Sequence, residues 1–211
     1  SWSTAWVWMA QEDGAWRTGL ALGSLVGALD LDKRWFESRV VEVEERRVMV
    51  HFLGWKPRCD EWLPRDSPNL SPLHSRTTLW RQELGEGDAI EVSVRALSRS
   101  YNSSSWYTGI IVQVEELHPP NELSSRRVVI RSSNGDRTLW VDMGSELVCE
   151  FGTHYNFPTA TLPLARACIL GNRAELKRLL DAGGDVNSRE SAGRTLAGIA
   201  AEWGHLECLR F

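Results

Sequence analysis

Five histidines and several acidic pairs are the side chains of this chain that could perform general acid–base chemistry. None of the histidines stands in a His-Glu-x-x-His, Cys–His or Gly-x-Ser-x-Gly context, and the sequence contains no glycine-rich phosphate loop. The pairs Glu44-Glu45 and Glu115-Glu116 occupy corresponding places in two similar segments, which favours a role in solvated turns. We therefore predict no catalytic residue within this chain.

Cysteines are the second group that could carry chemistry, as metal ligands or as disulfides. The four are Cys59, Cys149, Cys168 and Cys208, and no two of them form a Cys-x-x-Cys pair. No histidine stands at zinc-finger spacing from any of them. The pattern predicts reduced thiols in an intracellular protein, nuclear or cytoplasmic, with neither a metal nor a cofactor.

Tryptophan is the unusual residue of this chain, with 11 Trp against 3 Tyr and 5 Phe. Large aromatic side chains often anchor small β-domains, and their faces attract cations. Two segments that begin with an aromatic pair align: residues 35–45 match residues 106–116 at an offset of 71. Residues 46–50 then match 126–130 at an offset of 80, and Trp62 matches Trp140 at an offset of 78. Three matches in order predict a duplicated small β-domain.

The alternation of apolar and polar residues predicts the strands that would position these aromatic side chains. Val41 and Val43, then Val48, Val50 and Phe52, alternate with polar residues, which is typical of half-buried antiparallel strands. The polar residues 44–47 predict a tight hairpin between them. Four prolines in residues 55–72 favour short strands and turns over helix.

The C-terminal part has a different period. Leu176, Leu179 and Leu180 follow helical spacing. Gly171 and Gly204 are separated by 33 residues, as are the other matching positions of the two segments. A repeat of this length predicts two stacked helical units, the second ending early.

The motifs of these segments resemble known families. WFESRV, VMVHFLGW, CDEWL and DSPNLSPL are similar to the chromo-barrel or Tudor-knot family and to the related malignant-brain-tumour repeat. The segment from residue 84 resembles a Tudor-like barrel through its similarity to the first. LPLARAC followed by LLDAGGDVN resembles the ankyrin repeat. In the first barrel the resemblance implies that Trp62 fills the core and that Gly54 permits a sharp turn.

The fold class that we predict is a multidomain β and α protein: two small SH3-like or Tudor-like β-barrels followed by the start of an ankyrin-repeat solenoid. Residues 1–24 form an undefined Trp-rich segment, and residues 25–79 form the first, Tudor-knot-like barrel. Residues 84–157 form the second barrel, and residues 160–211 form two ankyrin repeats.

The resemblance to methyl-lysine-binding barrels also implies a site. In that family three or four aromatic side chains surround a methylated ammonium through cation–π attraction, and an acidic neighbour can hydrogen-bond a lower-methylated one. The corresponding ligand-binding positions in this chain, three aromatic, one a cysteine and two acidic, are Phe36, Phe52, Trp55, Cys59, Asp60 and Glu61.

Three functions remain open on the sequence: a chromatin reader that binds methyl-lysine in histone tails, the targeting region of a larger adaptor or ubiquitin ligase, and an RNA-binding Tudor-knot. Residues 30–78 carry nine acidic and nine basic side chains, and residues 86–157 carry ten and six. Such a balance favours protein partners with basic peptides over nucleic acid. The longest apolar run, residues 19–31, is too short for a membrane span. The oligomeric state is open.

Overall fold

A computed structural model describes residues 15–93, 95, 106–116, 123–132, 138–154, 158, 161–189 and 193–211. The chain divides into two compact units, one ending at Leu79 and the other running from Trp80 to Phe211. Most of the predicted Trp-rich N-terminal segment, and most of the loop inserted between the matching strands of the second barrel, lie outside the described residues.

The first unit is a curled, barrel-like sheet of five antiparallel strands. They are β1 (Leu25–Leu29), β2 (Trp35–Val43), β3 (Arg47–Phe52), β4 (Glu61–Pro64) and β5 (Leu70–Pro72), in the order β4-β3-β2-β1-β5. A short helix, α1 (Ala15–Thr18), precedes them, and a 3-10 turn (Pro57–Cys59) lies between β3 and β4. The predicted hairpin at residues 44–47 is present, closed by Glu44 N–H donating to Arg47 O at 2.9 Å.

The second unit begins with a sheet of the same topology. After helix α2 (Trp80–Glu83) come β6 (Ala89–Ser93), β7 (Trp106–Glu116), β8 (Arg126–Ser132), β9 (Thr138–Asp142) and β10 (Val148–Glu150), in the order β10-β6-β7-β8-β9. A β-bulge follows Val40 in the β2–β3 pair, and another follows Ile111, its counterpart, in the β7–β8 pair. Trp62 and Trp140 lie on corresponding strands. The predicted duplication is confirmed down to the register of the strands.

Each sheet is closed at one end by an arginine that follows a tryptophan. Arg17 donates to the backbone oxygens of Arg65, Ser67 and Leu70. Arg81 does the same for the three counterparts 78 residues later, Met143, Ser145 and Val148. Residues 15–24, which the sequence left undefined, therefore contribute to the first sheet through Arg17.

The core of the first sheet corrects one expectation. Val26, Val40, Val48 and Val50 are buried between the curled faces, with Leu63 of β4 among them. Successive side chains of a strand point to opposite faces, so Trp62, next to Leu63, points outward. There it pairs with Met49 and carries the Arg47 guanidinium 4.4 Å from its ring. The expectation that Trp62 fills the barrel is wrong.

Helices follow the second sheet and pack on its outer face. They are α3 (Leu162–Leu170), α4 (Arg173–Asp181) and α5 (Leu196–Glu202), and a 3-10 segment (Leu206–Arg210) ends the chain. Leu176 is buried, and Leu179 and Leu180 pack against the same cluster. Ala89 and Ile110 join this cluster from the sheet, so the helices and the second sheet share a core.

Candidate functional site

All six predicted site residues line one pocket of about 410 Å³ at an end of the first sheet. Phe36 lies near the start of β2 and Phe52 ends β3, so the two rings meet where these neighbouring antiparallel strands lie side by side. Three connections complete the wall: the turn between β1 and β2, the turn after β3 and the 3-10 turn before β4. The lining residues are Asp30, Leu31, Asp32, Arg34, Phe36, Phe52, Trp55, Arg58, Cys59, Asp60 and Glu61.

The three aromatic rings form a corner. Phe36 meets Phe52 at a centroid distance of 6.1 Å and an angle of 81°, and it meets Trp55 at 5.8 Å and 77°. Phe52 is only 3% exposed and forms the base of the corner. Phe36 and Trp55 are half-buried and pack on the core from the pocket side. Two ring walls are thus open to a ligand, above a third that is buried.

Gly54 forms the sharp turn that the sequence resemblance implied, and this turn positions Trp55. Gly54 has a φ of 88°, in the left-handed region that favours glycine. This conformation reverses the chain after β3, and Trp55 N–H donates to Phe52 O at 3.0 Å. The 3-10 turn then brings Cys59 to the fourth side of the pocket, where Asp60 N–H donates to Pro57 O at 3.0 Å. Cys59 therefore lines this side of the pocket with a thiol.

Four carboxyl groups and two guanidinium groups line the pocket. Asp60 is fixed by His51, whose Nδ1 lies 2.7 Å from its Oδ1. Partial burial, and secondly the charge of Asp30, raise the pKa of Glu61, against a smaller opposing effect of Lys33. The excess of acidic groups gives the pocket a negative field that favours a cationic ligand.

Arg34 is a pocket residue that the sequence analysis missed. Its guanidinium carbon lies 5.2 Å from the centroid of Phe36 and 5.9 Å from that of Trp55. Asp30 anchors the residue by accepting a hydrogen bond from Arg34 N–H at 2.8 Å. Side chains two residues apart share a face of an extended segment. The spacing of Arg34 and Phe36 was therefore the signal that could have revealed it.

The second sheet has different residues at the corresponding positions. Its backbone register places Ser132 opposite Gly109, where the first sheet has Phe52 opposite Ser38. Tyr107 replaces Phe36, and burial raises the pKa of its hydroxyl. The counterpart of Trp55 lies at position 135, outside the described residues.

Cysteine thiols and potential metal ligands are the remaining reactive groups of the chain. The described ranges contain no group of three or more His, Cys, Asp and Glu side chains arranged to hold a metal ion. The four cysteines, which all lie within the described ranges, form no disulfide with one another. Burial, together with the neighbouring Cys208, raises the pKa of Cys168 to about 12, so that thiol is protonated at neutral pH. Among the described residues no helix is long and apolar enough to cross a membrane.

Comparisons with known proteins give short matches. The chain is 41% identical over 54 residues to PHD finger protein 20-like protein 1 of Gallus gallus, covering 25% of this chain and 7% of that protein. It is 36% identical over 69 residues to PHD finger protein 20 of Homo sapiens, covering 32% of this chain and 7% of that protein. It is 44% identical over 34 residues to Lethal(3)malignant brain tumor-like protein 4 of Homo sapiens, covering 16% of this chain and 6% of that protein. No protein-family model matches.

Solved structures give wider but more distant matches. The SHH1 SAWADEE domain in complex with an H3K9me3 peptide has 15% identity and a TM-score of 0.25, with 62% of this chain and 98% of that chain covered. The four MBT repeats of Drosophila melanogaster Sfmbt, in complex with a methyl-lysine peptide, have 11% identity and a TM-score of 0.25, with 81% and 44% covered. The chain spans only 5% to 7% of the length of the PHD finger relatives.

Proposed function

We propose that this chain is a non-enzymatic recognition protein of the nucleus or cytoplasm whose first unit binds a basic peptide and inserts a methylated lysine into the aromatic pocket. The observation that carries the proposal is the corner of Phe36, Phe52 and Trp55, which opens onto a pocket lined by four carboxyl groups. A cation gains from the ring faces and from the negative field together.

The geometry of the corner favours an ammonium group over a guanidinium group as the ligand cation. The ring of Phe36 stands at 77° to that of Trp55 and at 81° to that of Phe52. A planar cation can lie flat on only one of two perpendicular faces. A compact trimethylammonium can contact perpendicular faces equally. We therefore assign the pocket to lysine and expect higher methylation states to bind more tightly.

Titrating the whole chain with a basic peptide that carries one trimethyl-lysine, and with the same peptide unmethylated, tests the proposal. Calorimetry is expected to show weak, saturable binding of the trimethylated peptide and weaker binding of the unmethylated one. Equal affinity for the two peptides would contradict the assignment to methyl-lysine.

Supplying a fourth ring is expected to strengthen binding. Cys59 lies on the open side of the pocket, so Cys59→Tyr places an aromatic face there. One additional cation–π contact corresponds to a gain of about three- to tenfold in affinity for the trimethylated peptide. Cys59→Ser, which removes the thiol without adding a ring, is the matched control. Equal affinities of the two variants would show that the fourth side does not face the ligand.

Affinity for the peptide is expected to fall as the pH is lowered from 7 towards 4.5. In the chain without ligand, the pKa of Glu61 lies above its ordinary value of 4.5, because of burial first and of the charge of Asp30 second. A bound ammonium favours the ionised carboxylate, so protonation of Glu61 and ligand binding oppose each other. Peptide titrations at several pH values check this. Glu61→Gln should flatten the dependence, whereas Glu42→Gln, an exposed acid outside the pocket, should leave it unchanged.

We further propose that the C-terminal helices are ankyrin-type repeats that add a protein-binding surface. Gly171 and Gly204, 33 residues apart, follow the C-terminal ends of helices α3 and α5 with φ angles of 64° and 73°. His205, which follows α5, hydrogen-bonds through its ring Nε2 to the backbone oxygen of Ile169 in α3 at 2.9 Å. A Cβ at Gly171 would approach that ring to 2.5 Å. Gly171→Ala is therefore expected to lower the melting temperature more than Gly183→Ala, where the φ is also positive but no atom lies within 4 Å.

The alternative function is an adaptor or ubiquitin-ligase targeting arm whose first sheet binds an unmodified partner. The observation in its favour is the burial of Phe52, which packs as a core residue. In that case the pocket would contribute packing alone, and methylation of a peptide would not change its affinity.

A further inference from the structure

The aromatic corner already carries a cation from its own chain. The Arg34 guanidinium lies within 6 Å of the centroids of both Phe36 and Trp55, the range in which cation–π attraction operates. These are the two half-buried rings of the corner and therefore the walls open to a ligand. A ligand ammonium that contacts both rings requires the space that the guanidinium occupies.

Arg34 is held in place weakly enough to leave. Its Nε lies 3.6 Å from Asp30 Oδ2, and its Nη2 lies 3.9 Å from Asp32 Oδ2, both long for an ion pair. Solvent screens the pair with Asp32, whose side chain is 81% exposed, whereas the pair with Asp30, whose side chain is 16% exposed, is weak because of its length. The hydrogen bond from Arg34 N–H to Asp30 fixes only the backbone of the turn. The side chain can therefore swing away while the turn keeps its shape.

We propose that Arg34 is a resident competitor of the pocket, and that a ligand ammonium binds by displacing its guanidinium from Phe36 and Trp55. This inference rests on the proposed function. Arg34 thereby sets the affinity threshold of the site, because each ligand must exceed the attraction that the guanidinium already has for the rings. On displacement the guanidinium moves into solvent, and Asp30 and Asp32 become available to the incoming cation.

Peptide titration of the whole chain with matched variants separates competition from simple charge. Arg34→Gln vacates the rings, keeps a polar side chain and leaves the backbone bond to Asp30 in place. It is expected to bind the trimethylated basic peptide about three- to tenfold more tightly than the unaltered chain. Arg58→Gln removes the same charge from the same pocket. In the part of the chain that the structure describes, Arg58 lies over no ring, so only the smaller gain that comes from removing a positive charge near a cationic ligand is expected. Arg34→Lys restores a cation and should return the affinity towards that of the unaltered chain.

A second readout needs no peptide. Ring currents of Phe36 and Trp55 should shift the Arg34 side-chain proton resonances upfield in the free chain. Titration with tetramethylammonium chloride should move them back, and Trp55→Ala should reduce the shift at the outset. Resonances at ordinary positions in the free chain would overturn the proposal.

The titration outcomes distinguish this proposal from the proposed function. If Arg34→Gln binds no more tightly than the unaltered chain while Trp55→Ala loses binding, the competitor role fails and the methyl-lysine pocket stands. If Arg34→Gln and Arg58→Gln tighten binding equally, charge alone explains the gain and the competitor role fails. If no variant binds the peptide, including Arg34→Gln with its vacated rings, both proposals fail.

Discussion

Replacing Trp55 with alanine is expected to weaken binding of the trimethylated peptide about thirtyfold, enough to remove measurable binding at a weak site. Trp55 supplies one of the two open walls of the aromatic corner. A tryptophan face in a partly desolvated site contributes about 2 kcal/mol to holding a cation, which corresponds to this factor. Calorimetric titration of the whole chain measures the loss.

Trp62→Ala is the matched control for this prediction. Trp62 belongs to the same sheet and is also half-buried, but it faces outward beneath Arg47 and does not line the pocket. Circular dichroism should show that both variants keep the fold. Equal losses in the two variants, or no loss in either, would show that the pocket is not where the peptide binds.

The largest effect on stability is expected at Arg81. Its side chain is 2% exposed and donates to the backbone oxygens of Met143, Ser145 and Val148, which lie in the loop between β9 and β10 and at the start of β10. Arg81→Met keeps an unbranched apolar stem but leaves these oxygens without their donor. Removing one partner of such a buried charged group costs about 3–5 kcal/mol. Chemical denaturation of the whole chain, followed by tryptophan fluorescence, measures the change.

Arg127→Met is the matched control within the same unit. Arg127 also lies over a tryptophan, 4.4 Å from the Trp140 ring, and pairs with Glu115 at 2.7 Å. It is exposed, so its loss should lower the free energy of unfolding by less than about 1 kcal/mol. If Arg81→Met costs no more than Arg127→Met, the arginine does not hold the loop closed.

The sequence predicted the duplication well because strand residues recur in the same order. Each offset, 71, 80 or 78, relates a strand of the first sheet to its equivalent in the second. The equivalent strands have the same register in their sheets, and the bulge after Val40 is repeated after Ile111. The sequence motifs also pointed to one pocket, because the start of β2, the end of β3 and the start of β4 converge there.

Other features depend on three-dimensional contacts that alternation does not reveal. Val41 and Val43 alternate as a core strand would, yet Val40 is the fully buried one and Val43 is 41% exposed. The bulge between Val40 and Glu42 shifts the register there, so Val41 and Val43 do not point into the core as simple alternation would predict. The role of Arg17 could not be predicted from the sequence, because the backbone oxygens that it binds lie about 50 residues further along the chain.

The most direct test of the central claim is the proton resonance of the N-methyl groups of the trimethyl-lysine peptide during titration with the whole chain. An ammonium seated in the corner of Phe36, Phe52 and Trp55 lies against ring faces, so its N-methyl signal should move upfield on binding. The shift should saturate with the binding curve and disappear with Trp55→Ala. A peptide that binds while its N-methyl signal stays in place would contradict the account, since its lysine would then lie outside the aromatic corner.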